Sequence, residues 1–131
     1  MDKNIATSIA PWLSVENGQQ TIEFYKAAFN AVEKYRVGSP EAGLVVKLSV
    51  GEAEFWVSSE ATQNQTDHPV PLMTGAVRLI LTVPNPEEIF AQALMAGAEE
   101  IFPVGEAHGW RLGRLADPFG LHWEIGHPLP G

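Results

Sequence analysis

The sequence contains no cysteine, and only eight lysines and arginines stand against sixteen aspartates and glutamates in 131 residues. Without thiols there is no disulfide framework, no thiolate metal site and no cysteine nucleophile. A formal charge of −8 repels phosphate backbones and anionic membrane surfaces alike, so neither nucleic acid nor membrane is expected as a partner. No apolar run approaches the roughly 18 residues needed to cross a bilayer. Met1 to Ala10 also lacks the basic and apolar regions of a signal peptide, and the expected location is cytoplasmic. A Gly-X-Ser-X-Gly elbow, a Walker or dinucleotide glycine pattern and His-Glu-X-X-His are all absent. What is present is 45% apolar and 18% charged residues, material for one core and one domain over residues 1–131.

The order of local patterns is informative. An apolar run from Ile5 to Val15 leads to Asn17, with Gln20 three residues on, which predicts a capped helix start. Ile22, Phe24, Tyr25, Ala28 and Phe29 form its apolar face, and Asn30 is a left-handed terminator. Strands are expected at Val32 to Val37, Leu44 to Val50 and Ala53 to Ser58. The order then recurs. Val77 to Val83 reads as a strand, and Asn85, Pro86 and Glu88 open a second helix that Gly97 ends. Strands follow at Glu100 to Val104, Trp110 to Ala116 and Leu121 to Ile125, the last two joined by the turn signal Asp117-Pro118-Phe119-Gly120.

A shift of 68 residues lays Val15 on Val83, Asn17 on Asn85, Phe55 on Trp123 and Val57 on Ile125, with a one-residue slip where Asn30 meets Gly97. The pattern is a duplicated β-α-β-β-β unit in an α+β fold, repeat 1 about 5–58 and repeat 2 about 76–127, with a polar linker over 59–75. Strand alternation separates two faces. Leu13, Val15, Ala53, Phe55, Val57, Leu79, Leu81, Val83, Leu121, Trp123 and Ile125 belong under the helices. Ala10, Trp12, Ser14, Glu54, Trp56, Ser58, Arg78, Ile80, Thr82, His122 and Glu124 form the opposite, mixed face where a ligand would sit.

This tandem order, the stretch from Trp12 to Val15 through Ile22-Glu23-Phe24-Tyr25 to Phe29, and the run Leu115-Ala116-Asp117-Pro118-Phe119-Gly120-Leu121-His122-Trp123-Glu124 resemble the glyoxalase/bleomycin-resistance/dioxygenase superfamily, the vicinal oxygen chelate proteins. Gly109-Trp110-Arg111 with Gly113 resembles an uncharacterised glyoxalase-like branch. The resemblance implies a curved mixed sheet around an open cup, a homodimer, and a small organic molecule as ligand. It also implies four metal-ligand positions, which fall here on Ala10, Trp56, Arg78 and Glu124. Only Glu124 is a donor, since alanine and tryptophan offer nothing and a guanidinium repels a divalent ion. No metal cofactor is therefore expected, and an ion pair between Arg78 and Glu124 is expected in its place, either structural or available to a ligand anion.

Trp12 and Trp56 are candidates for an aromatic ligand wall or for packing, and His122 for a pocket-lining group beside Glu124. Arg111 is a candidate ligand contact by the same resemblance, whereas Arg114 reads as a surface residue. Two classes of function stay open. One is a cup that binds a small organic molecule without a metal; the other is a metal-dependent lyase, isomerase or dioxygenase with Glu124 as catalytic base.

Overall fold

The computed structural model describes residues 6–61 and 77–130. Its elements run β1 (Trp12–Ser14), α1 (Gly18–Phe29), β2 (Val32–Ser39), β3 (Gly43–Val50), β4 (Ala53–Ser59), β5 (Leu79–Thr82), α2 (Pro86–Ala96), β6 (Glu99–Ala107), β7 (Trp110–Ala116) and β8 (His122–Pro128). They form two four-stranded sheets, ordered β1-β4-β3-β2 and β5-β8-β7-β6, in which the first strand of each repeat runs parallel to its fourth. Each repeat is thus a β-α-β-β-β unit. Most of the expected linker, residues 62–75, lies outside the described residues.

Local chemistry sets the helix ends. The Asn17 side chain accepts from the Gln20 N–H at 3.0 Å, and Asn30 closes α1 in the left-handed conformation at φ 61°. In the second repeat Asn85 makes no such cap; its amide instead donates to Glu88 Oε2 at 2.7 Å, while Pro86 opens the helix and Gly97 ends it at φ 121°. The shared sequence position therefore carries different hydrogen bonds in the two halves.

The 68-residue equivalence appears in the strand register. Trp12 stands opposite Trp56 as Ile80 stands opposite Glu124, and Leu13 opposite Val57 as Leu81 opposite Ile125. Helix α2 has 11 residues to the 12 of α1, which drops the shift to 67 along the middle strands. Four residues lie between the paired Ser49 and Glu54, but five between the paired Ala116 and His122, so the β7–β8 turn restores the offset.

That longer turn holds the two halves together. Asp117 is 4% exposed, and its Oδ1 accepts from the backbone N–H of Phe119 and of Leu121, both at 3.0 Å. Its Oδ2 accepts from the Tyr25 hydroxyl at 2.6 Å and from Trp123 Nε1 at 2.9 Å. A carboxylate taken out of water needs such partners, and here four donors share its two oxygens. Tyr25 comes from α1, so the turn of repeat 2 is bonded to the helix of repeat 1. Around it Tyr25, Phe29, Phe55 and Trp123 pack edge and face, with Phe29 and Trp123 centroids 4.7 Å apart. Gln92 of α2 adds bonds to the Ala27 carbonyl and to Asn30 at the end of α1.

These contacts all join helix-bearing faces. Helices α1 and α2 pack against each other, and Phe55 on β4 meets Trp123 on β8 at 5.9 Å between ring centroids. The core therefore lies between the helix-bearing faces, with Leu13, Phe55, Val57, Leu81, Leu121, Trp123 and Ile125 buried as the alternation requires. The opposite faces look outward. Gly113 lies on the inner side of β7, where a Cβ would come within 2.9 Å of Phe90 in α2 and 2.8 Å of the Val104 nitrogen.

Burial, and then the adjacent Asp117 carboxylate, hold the Tyr25 phenol well above its ordinary value of 10.0. The unfolded chain releases that proton near pH 10 while the folded chain keeps it, so stability is full below that pH and falls as pH rises through it. Tyr25→Phe removes one donor from a buried carboxylate and should cost about 1–3 kcal/mol at neutral pH. It should also flatten the alkaline decline, as urea midpoints measured from pH 7 to pH 11.5 would show.

Candidate functional site

One row of residues crosses the open face of each sheet. In the first sheet the register aligns Trp12, Trp56, Lys47 and Tyr35 across β1, β4, β3 and β2. In the second it aligns Ile80, Glu124, Arg114 and Phe102 across β5, β8, β7 and β6. The rows are repeat equivalents, Trp12 and Trp56 matching Ile80 and Glu124 by 68, and Lys47 and Tyr35 matching Arg114 and Phe102 by 67. Both place a cation on the third strand beside an aromatic ring on the second.

The first row is an aromatic platform. Trp12 and Trp56 stack with centroids 5.7 Å apart and planes 23° apart, and Tyr35 meets Trp56 edge-on at 6.1 Å. The Lys47 ammonium lies 5.0 Å from the Trp56 ring centre and 3.7 Å from Glu54. Trp12 Nε1 donates to Ser58 Oγ at 2.8 Å, which fixes the outer ring although Trp12 is 53% exposed.

The second row is a charge cluster. Arg114 donates to Glu124 Oε2 from Nη2 at 2.9 Å and from Nε at 3.3 Å, and its guanidinium lies 5.4 Å from the Phe102 ring centre. Arg78 reaches the same oxygen from the other side at 3.8 Å. The side chains differ in exposure, 15% for Glu124, 22% for Arg114 and 47% for Arg78. Two guanidiniums thus share one carboxylate oxygen, one tightly hydrogen-bonded and sheltered, the other loosely held and half in solvent.

No family model matches the chain. The uncharacterized protein Rv0887c of Mycobacterium tuberculosis is 32% identical over 131 residues, covering 96% of this chain and 77% of its own length. Among solved structures, a glyoxylase/bleomycin resistance protein/dioxygenase domain from a Frankia species superposes with a TM-score of 0.74 at 15% identity, covering 95% of this chain and 99% of that one. FosX, a fosfomycin resistance protein of Listeria monocytogenes in complex with Mn(II) and a dihydroxypropylphosphonic acid, superposes with a TM-score of 0.69 at 15% identity, covering 95% and 91%. The chain belongs with the uncharacterized mycobacterial proteins to which Rv0887c is related, and it has the fold of glyoxylase/bleomycin resistance protein/dioxygenase domains.

Of the four positions that the resemblance matches to metal ligands, only Glu124 carries a donor side chain. Trp56 and Arg78 bring no donor, Ala10 brings only a methyl group, and the Glu124 carboxylate already carries two cations. Among the described residues no three His, Asp or Glu side chains cluster as a metal would need. His122 is half-buried at the start of β8, two residues from Glu124.

Trp12, Trp56, Arg78, His122 and Glu124 all lie on the open faces, as alternation requires. Arg111 does not. On β7 it shares the parity of Gly113 and Leu115, and it binds Glu87 at the start of α2 at 2.7 Å and Glu106 at 3.5 Å, on the helix side. Arg114, read from the sequence as a surface residue, is instead the principal partner of Glu124. The signal that would have found it is the 67-residue offset of the middle strands, which lays Arg114 on Lys47. No helix among the described residues is long and apolar enough to cross a membrane.

The Arg111 hydrogen bond holds the Glu87 carboxyl below its ordinary value of 4.5. Arg111→Gln should return Glu87 toward that value in an NMR titration, with little change in the unfolding midpoint because both groups are solvated.

Proposed function

We propose that this protein binds a small organic molecule in a cup lined by the two open faces, without a metal centre. One observation supports the reading: at the two second-repeat positions that the resemblance matches to metal ligands, Arg78 pairs with Glu124, and Arg114 from the neighbouring strand holds the same carboxylate. Both oppositely charged partners are supplied by the chain itself. On the same open face Ile80 is 61% and Phe102 38% exposed, and on the open face of the first sheet Trp12 and Tyr35 are each 53% exposed, apolar and aromatic groups of the kind that grip a ligand body.

The cup is completed by a second copy of the chain. Within one chain the helix-bearing faces are joined and the open faces look outward, so an opposing wall must come from elsewhere. A homodimer that lays the first sheet of one protomer against the second sheet of its partner would cover these apolar groups and enclose both rows. The metal-dependent alternative would need Glu124 to give up two arginines.

Protein purified without chelators should contain far less than one equivalent of zinc, nickel, manganese or iron by elemental mass spectrometry, and should scatter light as twice the chain mass. Stoichiometric metal that disappears in Glu124→Gln would overturn the metal-free reading, and a monomer at micromolar concentration would overturn the shared cup.

A further inference from the structure

The two arginines on Glu124 are not equivalent, and the difference points to the chemistry of the ligand. We infer that Arg78 is the ligand-gripping group, that it grips a singly charged oxyanion such as a carboxylate, and that Arg114 is a positioning residue that keeps Glu124 from competing for it. This rests on the metal-free cup described above.

Charge is the first support. Two guanidiniums and one carboxylate leave a single net positive charge, which a monoanion neutralises and a cation does not. That excess lies on the open face of a protein whose formal charge is −8, where a general attraction for anions is absent. Recognition must therefore come from this cluster at short range.

Geometry is the second. Arg114 spends its Nε and one Nη on Glu124 Oε2 and lies over Phe102, so its planar fork is already committed. Arg78 is 3.8 Å from the same oxygen, an ion-pair distance longer than a hydrogen bond, and nearly half of its side chain is in solvent. It stands just before β5, next to the exposed Leu79–Thr82 edge, rather than inside a strand clamped on both sides. Its N–H groups are the ones free to turn toward an incoming carboxylate and bind it side by side. Ile80, two residues on, offers an apolar surface beside it for the ligand body.

Glu124 is then a competitor for Arg78, and Arg114 the group that occupies it. This arrangement gives a sign that a shared structural ion pair would not. Glu124→Gln should tighten carboxylate binding by about three- to tenfold, because Arg78 no longer has a rival anion. Arg78→Gln should weaken it about tenfold or more. Arg114→Gln should also weaken it, by leaving Glu124 to Arg78 alone, and the double variant Arg114→Gln with Glu124→Gln should restore wild-type affinity or better although both residues are gone.

The experiment is calorimetric titration of the dimer and these four variants with formate, benzoate and 1-naphthoate, and with benzylamine and benzamide as charge controls. In parallel, the Nε–Hε signals of both arginines are followed by NMR in the wild type, where folding of a variant is not at issue. The expected result is a shift of the Arg78 signal by carboxylates while that of Arg114 stays in place, together with the rescue in the double variant. Movement of the Arg114 signal instead, weaker binding in Glu124→Gln, or no effect of any carboxylate on Arg78 would each overturn the inference. Binding of benzylamine or benzamide with Arg78 unaffected would overturn it too, yet leave the metal-free cup standing; stoichiometric metal would remove both.

Discussion

The Asp117 carboxylate is the constraint on which the rest of the structure depends. A buried negative charge is tolerated only if donors surround it, and its four come from the turn backbone, from β8 and from α1. Because Tyr25 lies 92 residues away in the other repeat, satisfying this one group fixes how the two halves meet. They meet on their helix-bearing faces. The rings of Tyr25, Phe29, Phe55 and Trp123 fill the junction, and the outward orientation of both open faces follows from it.

The second carboxylate, Glu124 on the open face, has the opposite character. Asp117 is held by four neutral donors and, among the described residues, pairs with no cation; Glu124 is partly sheltered and is held by two cations that differ in freedom. A divalent ion held by four ligands and a pair of guanidiniums on one carboxylate are two ways of placing positive charge at the same spot in the fold. The second is always charged and carries hydrogen-bond directions, but it lacks the Lewis acidity that activates water or a carbonyl. The first sheet answers this cluster with stacked indoles and a lysine, so the duplicated rows have diverged into an apolar wall and a charged one while retaining the same strand positions.

Much of this was legible in the chain. Alternation in β4 and β8 assigned the inner and outer faces correctly because each side chain in a strand is placed by parity alone. Asn17 and Asn30 announced the ends of α1 because capping is a local reaction between a side chain and nearby backbone groups. The pairing of Arg78 with Glu124 was accessible through the repeat and the resemblance together. Arg111 was misplaced because parity on β7 depends on where pairing starts, and the resemblance carried it to the wrong face. Arg114 was overlooked since its counterpart Lys47 lies at 67 residues rather than 68, a difference created by one missing residue in α2 and returned in the β7–β8 turn.

By itself the sequence determined the elements, their duplication and the apolar inner faces, all of which are set by composition and by periodicities a few residues long. Tertiary structure alone decided which arginine is bound, which is loose, and that a turn aspartate is the clasp between the repeats. Those relations join groups ten, forty-six and ninety-two residues apart, and only strand register and packing bring such groups within reach of each other.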